Sequence, residues 1–511
     1  MVGIDDANIT QTYARNIAFG EGYVYSVHGE RVEGSTSILW TLINASFFVL
    51  SPSPERWIAL LCLLVTVASV HEVVALLRAL ARRQNASECT PLALFALAMW
   101  CTPAFFTWSV WTLMDLTIWV WCFSAIFSRL IQAAVRVQPP SAAFWLPVWI
   151  ALLALPLVRP EGIALLFVFG ALLLLLFWHQ NSAQLLRGTF AVCSASFVLF
   201  LAVTGWRLSY FGFPFPNTFY AKVSTSFILQ AKQGLIYTYV FLRSPANLFL
   251  SCLCLLGIAS LLRESRRRDG GKSRSDLWVM IAVLVLPFAS VIGVYVLVGG
   301  DHFGSARQFQ IFIPALCGLS AFFLAELWVK SSKVVVRVAA VAPLLVCLGA
   351  SALDYTKHKG FLDLEFRIAE SGRELGEMLN QFPPLKSVGI VAAGGVSRTY
   401  HGHLDDLVGL NWVEMAHAPK SVNNVLRPKN HAAFNKEVLY RHAPDIILPT
   451  TEECSRSRFV GNDFNQSVMD NIFEEPRFRA LYAFACYRSV SFFVRKDLIA
   501  TWPQGLKVAD D

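Results

Sequence analysis

Residues 142–178 read AAFWLPVWIALLALPLVRPEGIALLFVFGALLLLLFW, two apolar runs that are separated by the short junction Arg159-Pro160-Glu161-Gly162. Each run approaches the roughly 20 residues that an α-helix needs to cross a hydrocarbon core about 30 Å thick. The charged junction is short and suits a turn between two neighbouring membrane helices. This stretch therefore predicts that the chain crosses a membrane more than once.

The composition of the whole chain agrees with this prediction. Of 511 residues, 55% are hydrophobic and 15% are charged, whereas soluble domains carry about 25% charged residues. The mean hydropathy is +0.51. These values exclude a water-soluble globule, a disordered chain and a small disulfide-stapled scaffold. We expect a polytopic α-helical membrane protein, in which the net charge of +8 is first a signal of topology.

About ten segments are predicted as spans by their apolar length. They are 57–78, 91–108, 111–130, 143–158, 162–178, 188–205, 245–262, 277–298, 309–329 and 334–352. Short connections rich in Lys and Arg stay in the cytoplasm, so every second connection is predicted to be cytoplasmic. The basic residues that decide this are Arg78, Arg82, Arg83, Arg129, Arg136, Arg187, Arg263, Arg266, Arg267, Arg268, Lys272, Arg274, Lys330, Lys333 and Arg337.

Three regions follow from this topology. Residues 1–56 are predicted to form an outer loop, 57–352 the transmembrane domain, and 353–511 a domain on the outer face. Within the first region, 36–52 is too short for a span and is predicted to lie as a helix in the membrane interface. An outward N-terminus without a signal peptide suggests that a preceding helix is missing from this chain.

The outer domain is predicted to be α/β. Residues 362–381 have helical periodicity, and the runs 387–393, 445–449 and 489–495 are typical of buried strands. Cys454 and Cys486 are the only cysteines in this region, and the sequence leaves open whether they form a disulfide. No CxxC, HExxH or Walker motif occurs, so zinc, redox and ATP-driven chemistry have no support.

Acidic residues stand at the start of the first outer loop. Asp5 and Asp6 precede a helix-like stretch, so one of them is explained by helix capping. Two adjacent carboxylates exceed what a cap requires, and the alternative is a general base with a second carboxylate that orients the acceptor or holds a cation.

Cations and further acids recur in the outer connections. Arg159 either pairs with Glu161 or grips a phosphate, to which its planar fork is suited. Asp115 is predicted inside a span, where it needs a partner. Lys222 and the run GGDHFGSARQF, with Asp301, His302 and Arg307, lie in other outer loops.

Several motifs together resemble the GT-C membrane glycosyltransferases. The stretch DDANITQTYARNIAFGEGYVYSVHGERVEGSTSILWTLI (5–43) resembles the first outer loop of the branch that contains the mycobacterial arabinofuranosyltransferases. Further similarities are CTPAFFTWSVWTLMD (101–115), VRPEG (158–162), PNTFYAK (216–222), GGDHF (299–303) and HAPDIILP (442–449). The family more often has Glu where this chain has Asp115, and the first helix of the family is absent here.

This resemblance implies a GT-C-like fold and a sugar donor linked to polyprenyl phosphate, with inverting transfer at the outer face of a bacterial inner membrane. Asp5, with Asp6 beside it, would be the base for the acceptor hydroxyl. No cofactor is required, a divalent cation is possible, and nucleic acid is not a partner. The remaining site residues are the phosphate-binding Arg159, Lys222 and Arg307 and the substrate-binding Arg31, Glu33, Glu161, Asp301 and His302. Arabinofuranose is the expected sugar.

Alternatives stay open at this point. A transporter or flippase for the same lipid would also explain intramembrane charge, and a structural membrane subunit without catalysis is a third possibility. The transporter or flippase gives no reason for the outer acidic pair or the large outer domain. The acceptor is a polysaccharide, a glycolipid or a surface protein, and the outer domain is expected to help bind it. Its segment 401–406 and Trp412 are interpreted first as a structural loop, with contact to carbohydrate as the alternative. We expect the acidic pair and the cations to share one outer pocket.

Overall fold

The computed structural model describes residues 2–135, 141–222, 226–267, 271–331, 333–419, 433–448, 468–487, 490–502 and 505–508. The chain divides into two compact units. We call the first the mixed unit, because it contains a sheet as well as helices; it comprises Met1–Ile58, Thr204–Gln230 and Leu362–Asp511. The helical unit comprises Ala59–Val203 and Ala231–Phe361.

The helices in the first part of the chain are α1 (Asp5–Ala18), α2 (Ile38–Leu50), α3 (Glu55–Arg83), α4 (Cys89–Trp100), α5 (Pro103–Phe106), α6 (Leu116–Val135), α7 (Ala142–Val158), α8 (Gly162–His179), α9 (Ala183–Phe211) and α10 (Asn217–Lys222). They are followed by α11 (Phe227–Arg243), α12 (Pro245–Arg267), α13 (Gly271–Leu297), α14 (Ile313–Lys330), α15 (Val334–Leu379), α16 (Ala393–Thr399), α17 (Val413–His417), α18 (Lys436–His442) and α19 (Pro476–Leu481). A π-helical turn covers Thr107–Trp111, and 3₁₀ turns cover Gly304–Phe312, Ile472–Glu474 and Lys496–Thr501.

Long apolar helices confirm that the protein is a polytopic membrane protein. Among the described residues, seven helices are long and apolar enough to cross a membrane, or eight if one bent pair counts as a single span. That pair, Cys89–Trp100 and Pro103–Trp111, turns by 77°, because Pro103 has no N–H to continue the first helix. Two further predicted spans correspond to the shorter apolar helices Ala143–Val158 and Val341–Thr356.

One predicted position is wrong. The sequence places Asp115 inside a span that begins at 111, but α6 begins at Leu116, so the carboxylate lies just before the helix. Leu113, two residues earlier, has a φ of 59°, a left-handed conformation that a helix does not contain. This residue ends the turn that precedes α6, and Asp115 is thereby left at a helix end.

Aromatic side chains form the centre of the helical unit. Phe123 on α6 stacks on Phe127 and meets Phe169 and Phe288 edge to face. Phe288 in turn contacts Phe312. Such ring pairs add specific geometry to the burial of apolar area. They hold α6, α8 and α13 together. The polar residues at the ends of these helices are therefore held in fixed positions.

The mixed unit contains a six-stranded sheet, which confirms the predicted C-terminal α/β region. The strands are β1 (Val388–Ile390), β2 (Leu404–Asp406), β3 (Ile446–Leu448), β4 (Tyr482–Tyr487), β5 (Val490–Arg495) and β6 (Lys507–Val508). Their order is β2-β1-β3-β5-β4-β6, with β1 parallel to β2 and β3 and the remaining pairs antiparallel. Cys486 on β4 is disulfide-bonded, and Cys454 lies outside the described residues.

Helix α1 is part of the core of the mixed unit. Ile9 and Tyr13 pack with the sheet residues Val388 and Ile390 in one hydrophobic cluster. On another side of α1, Ala14 packs against Ala45 and Phe48 of α2. Helix α2 exposes Leu42, Val49 and Leu50, an apolar surface compatible with the predicted interfacial position, which stays a prediction. The N-terminal helix and the C-terminal sheet thus fold as one body.

Candidate active site

The acidic pair occupies the first turn of α1. Asp5 is buried, and its two carboxylate oxygens accept hydrogen bonds from the backbone N–H groups of Gly394 (3.0 Å) and Gly395 (2.7 Å). A side chain at position 394 would bring its Cβ to 1.8 Å from the carbonyl oxygen of Asp5. Glycine is therefore needed there for the two segments to approach this closely. Asp6 is half-buried.

Opposing effects determine the pKa of Asp5. Burial raises it, the N–H groups of Gly395 and Gly394 lower it, and the charges of Asp6 and Asp406 raise it, with a resulting value of about 6. Burial disfavours the charged form of a carboxylate, whereas hydrogen bonds to the ionised oxygens favour it. Asp5 is consequently ionised at neutral pH and yet more basic than an ordinary aspartate, which is the compromise that general base catalysis requires.

Arg373 attaches another part of α1 to its surroundings, and Arg398 shares its carboxylate partner Glu55. Arg373 of α15 donates to Asn8 Oδ1 (2.7 Å) and Gln11 Oε1 (3.0 Å), and its Nη2 lies 2.9 Å from Glu55 Oε1. Arg398 also contacts Glu55 and covers the ring of Phe48.

The turn GERVEG (29–34) is held by a buried ion pair. Glu33 Oε2 accepts from Arg207 Nε at 2.8 Å, and Oε1 accepts from Arg207 Nη2 at 2.9 Å. Arg207 was not identified from the sequence, although an arginine at the end of an apolar helix is a signal of a buried partner. Arg31, in contrast, is exposed and lies over the ring of Tyr210 at 4.6 Å.

The segment 401–406 and Trp412 are largely structural in this arrangement. Asp406 is fully buried and accepts hydrogen bonds from the backbone N–H groups of Val408 and Asn411 and from Asn411 Nδ2. Burial raises the pKa of Asp406 to about 6. Trp412 is buried against the ring edge of His442. The side chains of this segment that reach the surface are those of His401 and His403, the latter 42% exposed.

Lys222, a predicted phosphate ligand, ends the short helix α10. The helix begins with Asn217, whose Nδ2 donates to the carbonyls of Gly409 and Leu410 and whose N–H donates to the carbonyl of Glu33. The ammonium-bearing side chain of Lys222 is half-buried.

In the helical unit, Arg159 forms a two-point ion pair with Asp115. Its Nε lies 2.8 Å from Oδ2 and its Nη2 lies 3.2 Å from Oδ1, while Nη1 donates to Glu161 Oε1 at 3.2 Å. Asp115 and Arg159 are both buried. Arg159 thus makes the pairing with Glu161 that the sequence suggests and is at the same time the partner that Asp115 needs.

The same hydrogen-bond network continues to Arg307, the other arginine that is predicted to bind phosphate. The hydroxyl of Tyr295 lies 3.1 Å from both Glu161 Oε1 and Gln308 Oε1, and Gln308 Nε2 donates to Asp301 Oδ2 at 2.9 Å. Arg307 Nε donates to the same oxygen of Asp301 at 2.9 Å. Tyr295 and Gln308 connect the two arginines, and neither was identified from the sequence, because a tyrosine in an apolar helix and an uncharged glutamine in a loop carry no special signal.

Aromatic rings and a strained turn fix the position of Arg307. Its guanidinium lies over Phe303 at 4.1 Å and over Trp108 at 5.6 Å. Ser305 and Ala306, immediately before it, have left-handed φ values of 58° and 45°, which are costly for residues with a side chain. The amide N–H of His302 donates to Asp301 Oδ1 at 2.8 Å.

The predicted residues therefore fall into two groups. One group lies in the mixed unit and the other forms the network of the helical unit, and the single shared pocket stays a prediction. The first group is Asp5, Asp6, Arg31, Glu33 and Lys222, and the second is Arg159, Glu161, Asp301, His302 and Arg307.

The described residues do not form a recognisable metal centre. In this part of the chain no three His, Cys, Asp or Glu side chains converge so that they could hold a metal ion. Both oxygens of Asp5 already accept backbone N–H groups. We derive no step through a bound cation.

Comparison with known proteins identifies the fold. No family model and no curated protein matches the sequence. Among solved structures, ArnT from Cupriavidus metallidurans bound to undecaprenyl phosphate is similar, with a TM-score of 0.50 and 13% identity over 81% of this chain and 84% of that one. The oligosaccharyltransferase of Archaeoglobus fulgidus, in complex with Zn and sulfate, has a TM-score of 0.51 and 12% identity over 99% of this chain and 71% of that one. The fold is of the GT-C type.

Proposed function

We propose that this protein is a membrane glycosyltransferase. It transfers a sugar, with arabinofuranose as the first candidate, from a polyprenyl-phosphate donor to a glycan, glycolipid or protein acceptor at the outer face of a bacterial inner membrane. The observation that carries the proposal is the state of Asp5, a buried carboxylate with a pKa of about 6 at the start of α1 in a GT-C fold. The similarity to a structure with bound undecaprenyl phosphate supports the choice of donor class.

The reaction is a single displacement with inversion. Asp5 removes the proton from the acceptor hydroxyl as its oxygen attacks the anomeric carbon, and Asp6 orients the acceptor. The bond between the anomeric carbon and the phosphate oxygen breaks, and its electron pair leaves with the polyprenyl phosphate. A general base of this kind contributes about 10²–10⁴-fold to the rate.

Cations neutralise the leaving phosphate in this proposal. Lys222, Arg159 and Arg307 are assigned that role because fixed positive charge stabilises a negative charge that grows in the transition state. Arg159 and Arg307 already pair with Asp115 and Asp301, so a phosphate would share them with carboxylates that fix their orientation.

The other predicted residues are assigned to substrate binding, and they differ in how far other side chains already bind them. Arg31 is exposed and is available for the sugar or the acceptor. Glu33 is engaged by Arg207, and this contact favours a role in shaping the loop over direct contact with the sugar. Glu161 binds Arg159, Asp301 binds Arg307, and His302 contacts Asp301; we assign these three residues to the donor side of the site.

Transfer of label from a defined donor tests the proposal. Purified protein in vesicles is given polyprenyl-phosphate sugars carrying radiolabelled arabinofuranose or a hexose, together with a cell-envelope acceptor fraction. We expect label in the acceptor, a loss of about 100-fold or more with Asp5→Asn, and no loss with Asp497→Asn, an exposed aspartate. A parallel reaction with EDTA tests the cation. Label that crosses the bilayer without reaching an acceptor would contradict the proposal in favour of a flippase.

A further inference from the structure

Helix α1 and helix α16 touch at matching positions along their lengths. Asp5 accepts the N–H groups of Gly394 and Gly395, as described above. Farther along α1, Thr12 Oγ1 lies 2.8 Å from Ser397 Oγ. Because contacts later in α1 are made by later residues of α16, the two helices run in the same direction, and both acidic residues lie at the end where α16 begins.

Ser397 links α1 to the segment 393–399, which contains the two glycines that bind Asp5. Its hydroxyl donates to the carbonyl of Gly394 at 2.9 Å and contacts the hydroxyl of Thr12, which lies 2.9 Å from the carbonyl of Asn8. Ser397 and Thr12 are both buried. A buried hydroxyl pair of this kind resists displacement, because separating the two groups leaves polar atoms without water.

The segment is also held from its other sides. The hydroxyl of Tyr25 donates to the carbonyl of Ala393, and a Cβ added to Gly395 would come within 2.4 Å of the carbonyl of Ala369 on α15. Gly394 is therefore pressed against α1 and Gly395 against α15. The segment has little room to move, and the carboxylate that it binds is fixed with it.

We propose that residues 393–399 belong to the catalytic centre, with Gly394, Gly395 and Ser397 as positioning residues for the Asp5 carboxylate. This inference rests on the proposed function, in which Asp5 is the base. The C-terminal region is then required for the chemical step and does more than bind an acceptor. Residues almost 390 positions apart in the chain thus form one functional element.

The pH dependence of the reaction reports on this positioning. The groups that face Asp5 are Asp6 on its own helix, Asp406 at the end of β2 and the phenol of Tyr25, and the backbone N–H groups oppose their effect by favouring ionisation. Loosening the segment weakens the two hydrogen bonds. The pKa of Asp5 then rises further, and the acid limb of the pH–rate profile moves to higher pH.

Substitution of the hydroxyl pair tests the inference without touching the reacting atoms. Ser397→Ala and Thr12→Val remove the contact, whereas Thr12→Ser keeps the hydroxyl. We expect the first two to lower kcat by about three- to tenfold, as for a lost hydrogen bond, with KM little changed and the acid limb displaced upward. Thr12→Ser should restore the wild-type profile. Unchanged profiles in folded Ser397→Ala and Thr12→Val variants would overturn the inference.

A matched pair of glycine substitutions provides a second test. Gly394→Ala places a Cβ on the backbone of Asp5, whereas the same change at Gly389, on β1 of the same sheet, meets Pro444 and Leu407 at 3.2–3.4 Å. We expect a larger loss of kcat for Gly394→Ala than for Gly389→Ala at equal thermal stability. Equal losses would count against positioning.

Hydrogen exchange separates this inference from the proposed function. The amides of Gly394 and Gly395 should exchange slowly in the wild-type protein and faster in Asp5→Ala, whatever the reaction. Identical exchange would contradict the contact itself. Faster exchange together with a wild-type protein that transfers no sugar would overturn the proposed function, and with it a catalytic role for the segment, while the contact stands.

Discussion

Glu33 and Arg207 form a two-point ion pair in which both side chains are only 2% exposed. The two residues are 174 positions apart, and the pair fastens the GERVEG turn to α9 inside the mixed unit. The backbone carbonyl of Glu33 also accepts the N–H of Asn217 at the start of α10. Glu33 thus binds both α9 and the start of α10, which lie far from it in the chain. Because both charged side chains of the pair are buried, water is not an alternative partner for either charge.

Loss of either charge in this pair should destabilise the protein strongly. Glu33→Gln or Arg207→Gln leaves the other charge buried without compensation, at a cost on the order of 3–5 kcal/mol. Thermal unfolding in detergent measures the effect. Arg31→Ala, which removes an exposed cation over Tyr210, is the control and should change the midpoint little. Equal effects of the three substitutions would contradict the structural role of the pair.

The Asp115–Arg159 pair should behave as one energetic element. We expect Asp115→Asn and Arg159→Gln each to lower the free energy of unfolding by roughly 3–5 kcal/mol and the double variant to cost less than the sum. Lys330→Gln, at an exposed pair with Glu326, should cost about 0.5 kcal/mol or less. Strictly additive losses in the double-mutant cycle would show that the two residues do not depend on each other.

The rate of sugar transfer should fall as the pH drops through about 6, because the base must be ionised and the pKa of Asp5 is about 6. The dependence of kcat/KM on pH from 4.5 to 8, measured with a labelled donor, checks this. A protein that keeps full activity at pH 4.5 would exclude Asp5 as the titrating base.

Folding stability should show the opposite trend over the same range. Burial raises the pKa of Asp406 from 3.8 to about 6, so the folded protein binds the proton more tightly than the unfolded chain. The stabilisation is complete below the unfolded pKa and is lost as the pH rises through the folded one. Between pH 7.5 and pH 5 the gain is on the order of 1 kcal/mol for this group. The rise of the unfolding midpoint between these two pH values should be smaller in Asp406→Asn.

Gly34 should not tolerate a side chain, although its backbone conformation is an ordinary one. A Cβ at this position would lie 1.8 Å from Asn411 Oδ1 and 2.9 Å from the hydroxyl of Tyr13. We expect Gly34→Ala to destabilise by about 1–3 kcal/mol through overpacking. Gly205→Ala, in open space on α9, should be neutral or stabilising by up to about 1 kcal/mol, as is usual for alanine in a helix. Thermal unfolding of the two variants makes the comparison.

The amino-acid sequence was sufficient for the membrane class, the approximate position of the apolar helices and the α/β nature of the C-terminal region. These properties follow from apolar length and from periodicity, which neighbouring residues carry themselves. The strands at 388–390, 446–448 and 490–495 lie within the predicted runs. The bend before Pro103 and the start of α6 at Leu116 were missed, because they depend on single backbone conformations.

The contacts of the candidate site were decided by tertiary structure. From the sequence, Asp5 is an acidic residue at a helix start, and nothing near it predicts the contact with Gly394 and Gly395. In the same way, the residues around Glu33 do not predict its pairing with Arg207. Those around Arg159 do not predict the tyrosine and the glutamine that link it to Arg307. Hydrophobic patterning is a local property, because each residue contributes to it independently of its distant neighbours. The pKa of a buried carboxylate depends instead on a few donors within about 3 Å, and only the folded chain brings those donors together.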